Sequence, residues 1–73
     1  LDGLAGLDQF GKTRNVGAGV WELKIDYGPD YRVYYGIHGD ELILILIVGS
    51  KRTQTTDIKK ARTYWIEWKE TNT

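Results

Sequence analysis

The sequence predicts an α+β fold, an antiparallel β-sheet of three or more strands with a C-terminal helix. Three observations predict it. Residues 20–49 contain three β-type runs, the connections between them are hairpin-length, and residues 55–70 carry one apolar stripe at helical spacing. At 73 residues the chain reads as a single domain, 1–73, built from an irregular arm (1–19), a β-meander (20–49) and a helix (55–70).

The arm is expected because Gly3, Gly6, Gly11, Gly17 and Gly19 interrupt it. Leu1, Leu4 and Leu7 suit the last turns of a helix that those glycines would end. Val20 to Tyr27 alternates, with Trp21, Leu23, Ile25 and Tyr27 on one face and Glu22, Lys24 and Asp26 on the other, the pattern of a half-buried strand. Gly28-Pro29-Asp30 is turn chemistry. Tyr31 to Gly36 is a second strand, with Tyr31, Val33 and Tyr35 opposite in sense to Arg32 and Tyr34. His38-Gly39 forms a two-residue hairpin loop. Glu41 to Gly49 follows as a third strand, apolar on both faces and therefore expected to be central and covered on both sides. Thr55 or Thr56 is the expected helix cap, with Asp57 in the first turn. Ile58, Ala61, Trp65 and Trp68 then mark the buried stripe.

Composition narrows the function. Ten acidic and ten basic residues balance, which argues against a protein that coats nucleic acid by bulk charge but leaves room for a local basic patch. Without cysteine there is neither a disulfide nor a thiolate metal site, and no metal or other cofactor is expected. The longest apolar run, Leu42 to Val48, is too short to span a bilayer, so no membrane partner is expected. No secretory signal pattern opens the sequence as given. Its start at Leu1 rather than Met reads as a processed start or a piece of a longer chain. A domain this short hides only about 60% of its extended surface and leans on its large side chains, here three Trp, five Tyr and the Ile/Leu run.

Register brings candidate residues together. A three-residue loop at 28–30 sets Tyr27 opposite Tyr31, Asp26 opposite Arg32 and Lys24 opposite Tyr34, giving one polar patch. A two-residue loop at His38-Gly39 pairs Ile37 with Asp40, Tyr35 with Leu42 and Tyr31 with Leu46. The third strand then ends beside the first turn, so Ser50, Lys51 and Arg52 join the patch, next to the free N–H groups of a helix start. His38 falls at the other end, roughly 20 Å away. Clustered cations beside a helix terminus and tyrosines suit a phosphodiester.

The run from Gly17 to Tyr35, with Val20-Trp21-Glu22-Leu23-Lys24-Ile25 and Tyr31-Arg32-Val33-Tyr34-Tyr35 at its heart, resembles the core motif of RelE/HigB-like addiction-module toxins. Gly49-Ser50-Lys51-Arg52-Thr53-Gln54-Thr55-Thr56-Asp57-Ile58-Lys59-Lys60-Ala61 is similar to that family's Gly-Gly-Asp-Lys-x-x-Gln-x-x-Asp-Ile-x-x-Ala segment. The resemblance covers roughly residues 7–69. It implies a RelE-like fold and a cytoplasmic, metal-independent mRNA endoribonuclease, the toxin of a toxin–antitoxin system, acting at the ribosome and neutralised by a cognate antitoxin. It also implies that Lys24, Arg32 and Lys51 are catalytic and that Arg52, Tyr34 and Gln54 contact RNA. Relatives carry an N-terminal strand and helical hairpin before this region, of which only the tail is expected in Leu1 to Leu7.

The chemistry fits those residue types. Internal transfer removes the 2′-OH proton, stabilises a crowded phosphorane and protonates the leaving 5′-oxygen. Arg32 offers a planar fork for the phosphate, Lys24 and Lys51 orient it or exchange protons, and Tyr34 stacks on a base or assists proton transfer. The alternative is a non-catalytic protein-interaction domain, a homodimer or a truncated inactive toxin. In that case Arg32 is a surface charge paired with Asp26, and Lys51-Arg52 is a solvated loop. Lys59, Lys60 and Arg62 read as a wet helix face, and Trp65 and Trp68 as core rather than base platforms.

Overall fold

A computed structural model describes residues 11–25, 28, 30–39 and 42–71. Four strands run in sequence order across one antiparallel sheet: β1 (Gly11–Gly17), β2 (Val20–Ile25), β3 (Tyr31–His38) and β4 (Leu42–Ser50). A single 3-10 turn (Lys51–Thr53) leads into the helix α1 (Gln54–Thr71), which packs on β4, β3 and β2. The α+β architecture is as the alternation and the helical stripe predict. Among the described residues no helix is long and apolar enough to cross a membrane.

The segment expected to be an irregular arm contains a strand. β1 is polar along most of its length and holds an edge position, where charged side chains are tolerated and unpaired backbone is shielded. Its glycines mark the strand's limits instead of abolishing it. Ala18 and Gly19 both have positive φ, 57° and 83°, as a type I′ two-residue hairpin requires. A bulge between Asn15 and Gly17 adds Val16 to the buried core, and the Asn15 side chain accepts the Gly17 N–H at 2.8 Å. The leucines at 1, 4 and 7 lie outside the described residues, as do Asp26, Tyr27, Pro29, Asp40 and Glu41.

Both hairpin registers differ from expectation. Ile25 pairs with Tyr31 and Lys24 with Arg32, so Lys24 does not oppose Tyr34; Glu22 does. In the second hairpin His38 pairs with Leu42 and Ile37 with Ile43. A bulge then shifts the ladder between Tyr34 and Tyr35, and Tyr31 meets Ser50 rather than Leu46. This bulge switches the strand's phase, so Leu44 before it and Ile47 after it both pack toward the core. Nor is β4 central and doubly covered. It lies at the sheet's edge, with Ile43, Ile45 and Val48 exposed on the face away from α1.

The core lies between α1 and the sheet, from Val16, Val20, Tyr34, Ala61 and Trp65, with Ile58 and Trp68 packed against them. The predicted helix stripe is the buried one. Trp65 stacks on Trp68 at 5.2 Å and lies so close to the sheet that a Cβ on Gly36 would sit 2.4 Å from its ring. The helix begins earlier than the expected cap. Thr53, not Thr55 or Thr56, closes the start: its hydroxyl accepts the Ser50 N–H at 3.2 Å and donates to the Asp57 carboxylate. Lys59, Lys60 and Arg62 are exposed, as expected, and Arg62 also donates twice to the Val16 carbonyl, tying the helix to β1.

Candidate functional site

Strand pairing builds two side-by-side rungs on the helix-facing side of the sheet. One rung reads Lys12, Lys24, Arg32 across β1, β2 and β3; the next reads Arg14, Glu22, Tyr34. Together with Thr13 and with Gln54, the first residue of α1, these strands line a cleft of about 500 Å³. Four cations and one carboxylate face it.

Glu22 organises the second rung. It is 4% exposed. Arg14 Nε donates to its Oε1 at 2.9 Å, and Tyr34 OH and Gln54 Nε2 donate to Oε2 at 3.0 Å and 2.9 Å. Burial pushes this carboxyl up, but the donors from Arg14, Gln54 and Tyr34 outweigh it and hold it below the ordinary carboxylate range. Glu22 is therefore a fixed anion, not a proton acceptor. Burial first, then the hydrogen bond to Glu22, push the Tyr34 phenol well above its usual value, and the bond and charge of Glu22 likewise raise Arg14. Tyr34 has no exposed surface, and its hydroxyl is held on the Glu22 carboxylate, a placement that favours a supporting role over base stacking.

Arg32 is different. It is 6% exposed, yet its Nε and Nη1 have no hydrogen-bond partner, and its approach to Glu22 is a long 3.8 Å. Buried donors are almost always satisfied, so the unmet Nε and Nη1, although closed to solvent here, mark Arg32, a residue of the cleft lining, as a candidate anion ligand. The expected Asp26 partner lies outside the described residues.

The structure thus brings Lys24, Arg32 and Gln54 to one cleft. Lys51 and Arg52 are exposed on the 3-10 turn and are not part of the lining, although the ladder does deliver that turn to the Arg32 end, where Gly49 opposes Arg32. His38 lies at the opposite end, its ring edge-on to Trp68 at 5.3 Å. Sequence reasoning missed Lys12, Arg14 and the role of Glu22. The signal for the first two was their i, i+2 spacing, the period of a strand face, hidden among glycines. Among the described residues no three His, Cys, Asp or Glu side chains gather into a metal-binding group.

Residues 5–65 match the family model described as "Phage derived protein Gp49-like (DUF891)". An uncharacterized protein of Haemophilus influenzae (strain ATCC 51907 / DSM 11121 / KW20 / Rd) is 43% identical over 53 residues, covering 73% of this chain and 54% of that protein. The chain therefore spans about half the length of this curated relative. No solved structure matches significantly.

Proposed function

The chain belongs to the Gp49-like family of phage-derived proteins, a family of the RelE/HigB toxin type, and from that premise we propose that it is the toxin of a toxin–antitoxin pair, a metal-independent endoribonuclease that cuts mRNA at the ribosome in the cytoplasm and is silenced by a cognate antitoxin. The observation that carries this reading is the buried, unsatisfied guanidinium of Arg32 in a cleft dominated by cations.

In this reading the 2′-hydroxyl gives up its proton and its oxygen attacks the adjacent phosphorus, while the 5′-oxygen leaves and takes up a proton, giving a cyclic phosphate and a 5′-hydroxyl end. Arg32 supplies the positive charge that stabilises the oxygens gaining charge in the phosphorane. Lys24, its cross-strand neighbour, orients the phosphate. Gln54 and Arg14 are fixed by Glu22, so the wall of the cleft is organised before substrate arrives. Lys51 and Arg52, exposed at the helix start, serve the RNA backbone beyond the cleft.

Induced expression should arrest growth, and the purified chain should cut mRNA in excess EDTA, leaving cyclic phosphate ends. Arg32→Met should abolish both while the far-UV spectrum is unchanged. A folded wild-type protein that neither arrests growth nor cuts RNA, with or without ribosomes, refutes the proposal. A second reading, a non-catalytic interaction domain, is favoured by one observation: Ile45 and Val48 are 62% and 59% exposed on an edge strand, and such apolar edges drive association. It expects a dimer by sedimentation, broken by Ile45→Lys, and no loss of association in Arg32→Met.

A further inference from the structure

The rung beside Glu22 has three cations abreast. Lys12 opposes Lys24, and Lys24 opposes Arg32; all three line the same cleft. Like charges directly opposed across strands destabilise a sheet, and here the arrangement is repeated across two strand pairs. No carboxylate among the described residues pairs with Lys12 or Lys24, and the nearest, Glu22, is already committed to Arg14, Tyr34 and Gln54. Water can solvate Lys12, which is exposed. It cannot solvate the buried Nε and Nη1 of Arg32. The rung carries three cations; its one counter-charge, Glu22, stands 3.8 Å from Arg32 and is shared with Arg14, and that excess of positive charge suits an anion supplied from outside.

The spacing says what kind of anion. Neighbouring strands lie about 4.8 Å apart, so the Lys12 and Arg32 backbones are separated by about 10 Å. A single phosphate centred between Arg32 and Lys24 lies about 7 Å from the Lys12 backbone, on the far side of Lys24. A chain with a second phosphate, lying across the strands toward β1, engages it. Building on the nuclease reading above, we infer that Lys12 is a positioning residue for the phosphate next to the reacting one, and that the RNA crosses the sheet from β3 to β1 rather than following a strand. Lys24 sits between the two phosphates and contacts both.

The test uses deoxyuridine dinucleotide and trinucleotide, which carry one and two phosphates and lack the 2′-hydroxyl needed for cleavage, titrated into the full chain by chemical-shift perturbation. The wild-type protein should bind the trinucleotide about tenfold more tightly, the lower end expected of one charge-assisted hydrogen bond. Lys12→Gln should erase most of that gain, reduce the salt dependence of trinucleotide binding by about 0.7 in log–log slope, and change dinucleotide binding by less than about twofold. Against RNA it should raise KM more than it lowers kcat. If wild type binds both oligonucleotides equally, or Lys12→Gln keeps the full gain and slope, the inference is overturned. If the trinucleotide preference depends on Lys12 but ribonucleotides are never cut, the two-phosphate site stands and the nuclease reading falls.

Discussion

Replacing Arg32 by methionine should make this protein more stable and leave it unable to hold phosphate. Arg32 is 6% exposed, with two guanidinium nitrogens unpartnered. Each unsatisfied buried donor costs about 1–3 kcal/mol, more when charged, and the ion's desolvation adds several kcal/mol. Against that stands attraction to Glu22 across 3.8 Å, about 4 kcal/mol at an effective dielectric near 20, itself reduced by repulsion from Lys24 in the same rung. Methionine fills a similar volume without charge, and Glu22 keeps its donors from Arg14, Gln54 and Tyr34. The expected change is a gain of about 1–3 kcal/mol, the cost of one unsatisfied buried donor, because Glu22 stays paired with Arg14 when Arg32 is removed. For a domain of this size that raises Tm by roughly 4–8 °C per kcal/mol. Urea unfolding followed by tryptophan fluorescence measures it, and dinucleotide titration measures the lost phosphate binding. A variant destabilised by more than about 1 kcal/mol would refute the reasoning. Arg32 would then be retained as a structural partner of Glu22, and its burial would no longer speak for a ligand.

Gly36→Ala should cost about 1–3 kcal/mol or more by overpacking, because the added carbon would stand 2.4 Å from the Trp65 ring, which is wedged against Trp68; thermal melts and near-UV dichroism report it. Tyr34→Phe removes a 3.0 Å hydrogen bond to a carboxylate and should cost about 2 kcal/mol at neutral pH, read from urea midpoints. The pH dependence has a definite sign. Glu22 has a lowered folded pKa against an ordinary 4.5, so its stabilisation is complete above that value and is lost as pH falls through the folded one. Tyr34→Phe removes one of the donors that lower it, so the acid loss should begin at higher pH. Unfolding midpoints measured from neutral pH into acid check both the limb and its displacement.

Local pattern carried much of this fold. The alternation Trp21, Glu22, Leu23, Lys24, Ile25 set which side chains share a face, and the spacing of Ile58, Ala61, Trp65 and Trp68 set the buried side of α1. Arg32 and Lys24 were legible as one patch because a strand's two-residue period is a property of each short segment. Pairing is not such a property. It depends on where loops close and where an extra residue bulges out, and the bulge between Tyr34 and Tyr35 moved the end of β4 from Leu46 to Ser50 at Tyr31. The same long-range choice put Glu22 beside Tyr34 and Lys24 beside Arg32, added β1 with Lys12 and Arg14, and left β4 at the edge. The sequence by itself determined the strand faces, the helix and the residue types of an anion site. Only the tertiary structure decided that Arg32 lies buried with donors unspent, because burial comes from what packs over a residue, and that is contributed by segments far from it along the chain.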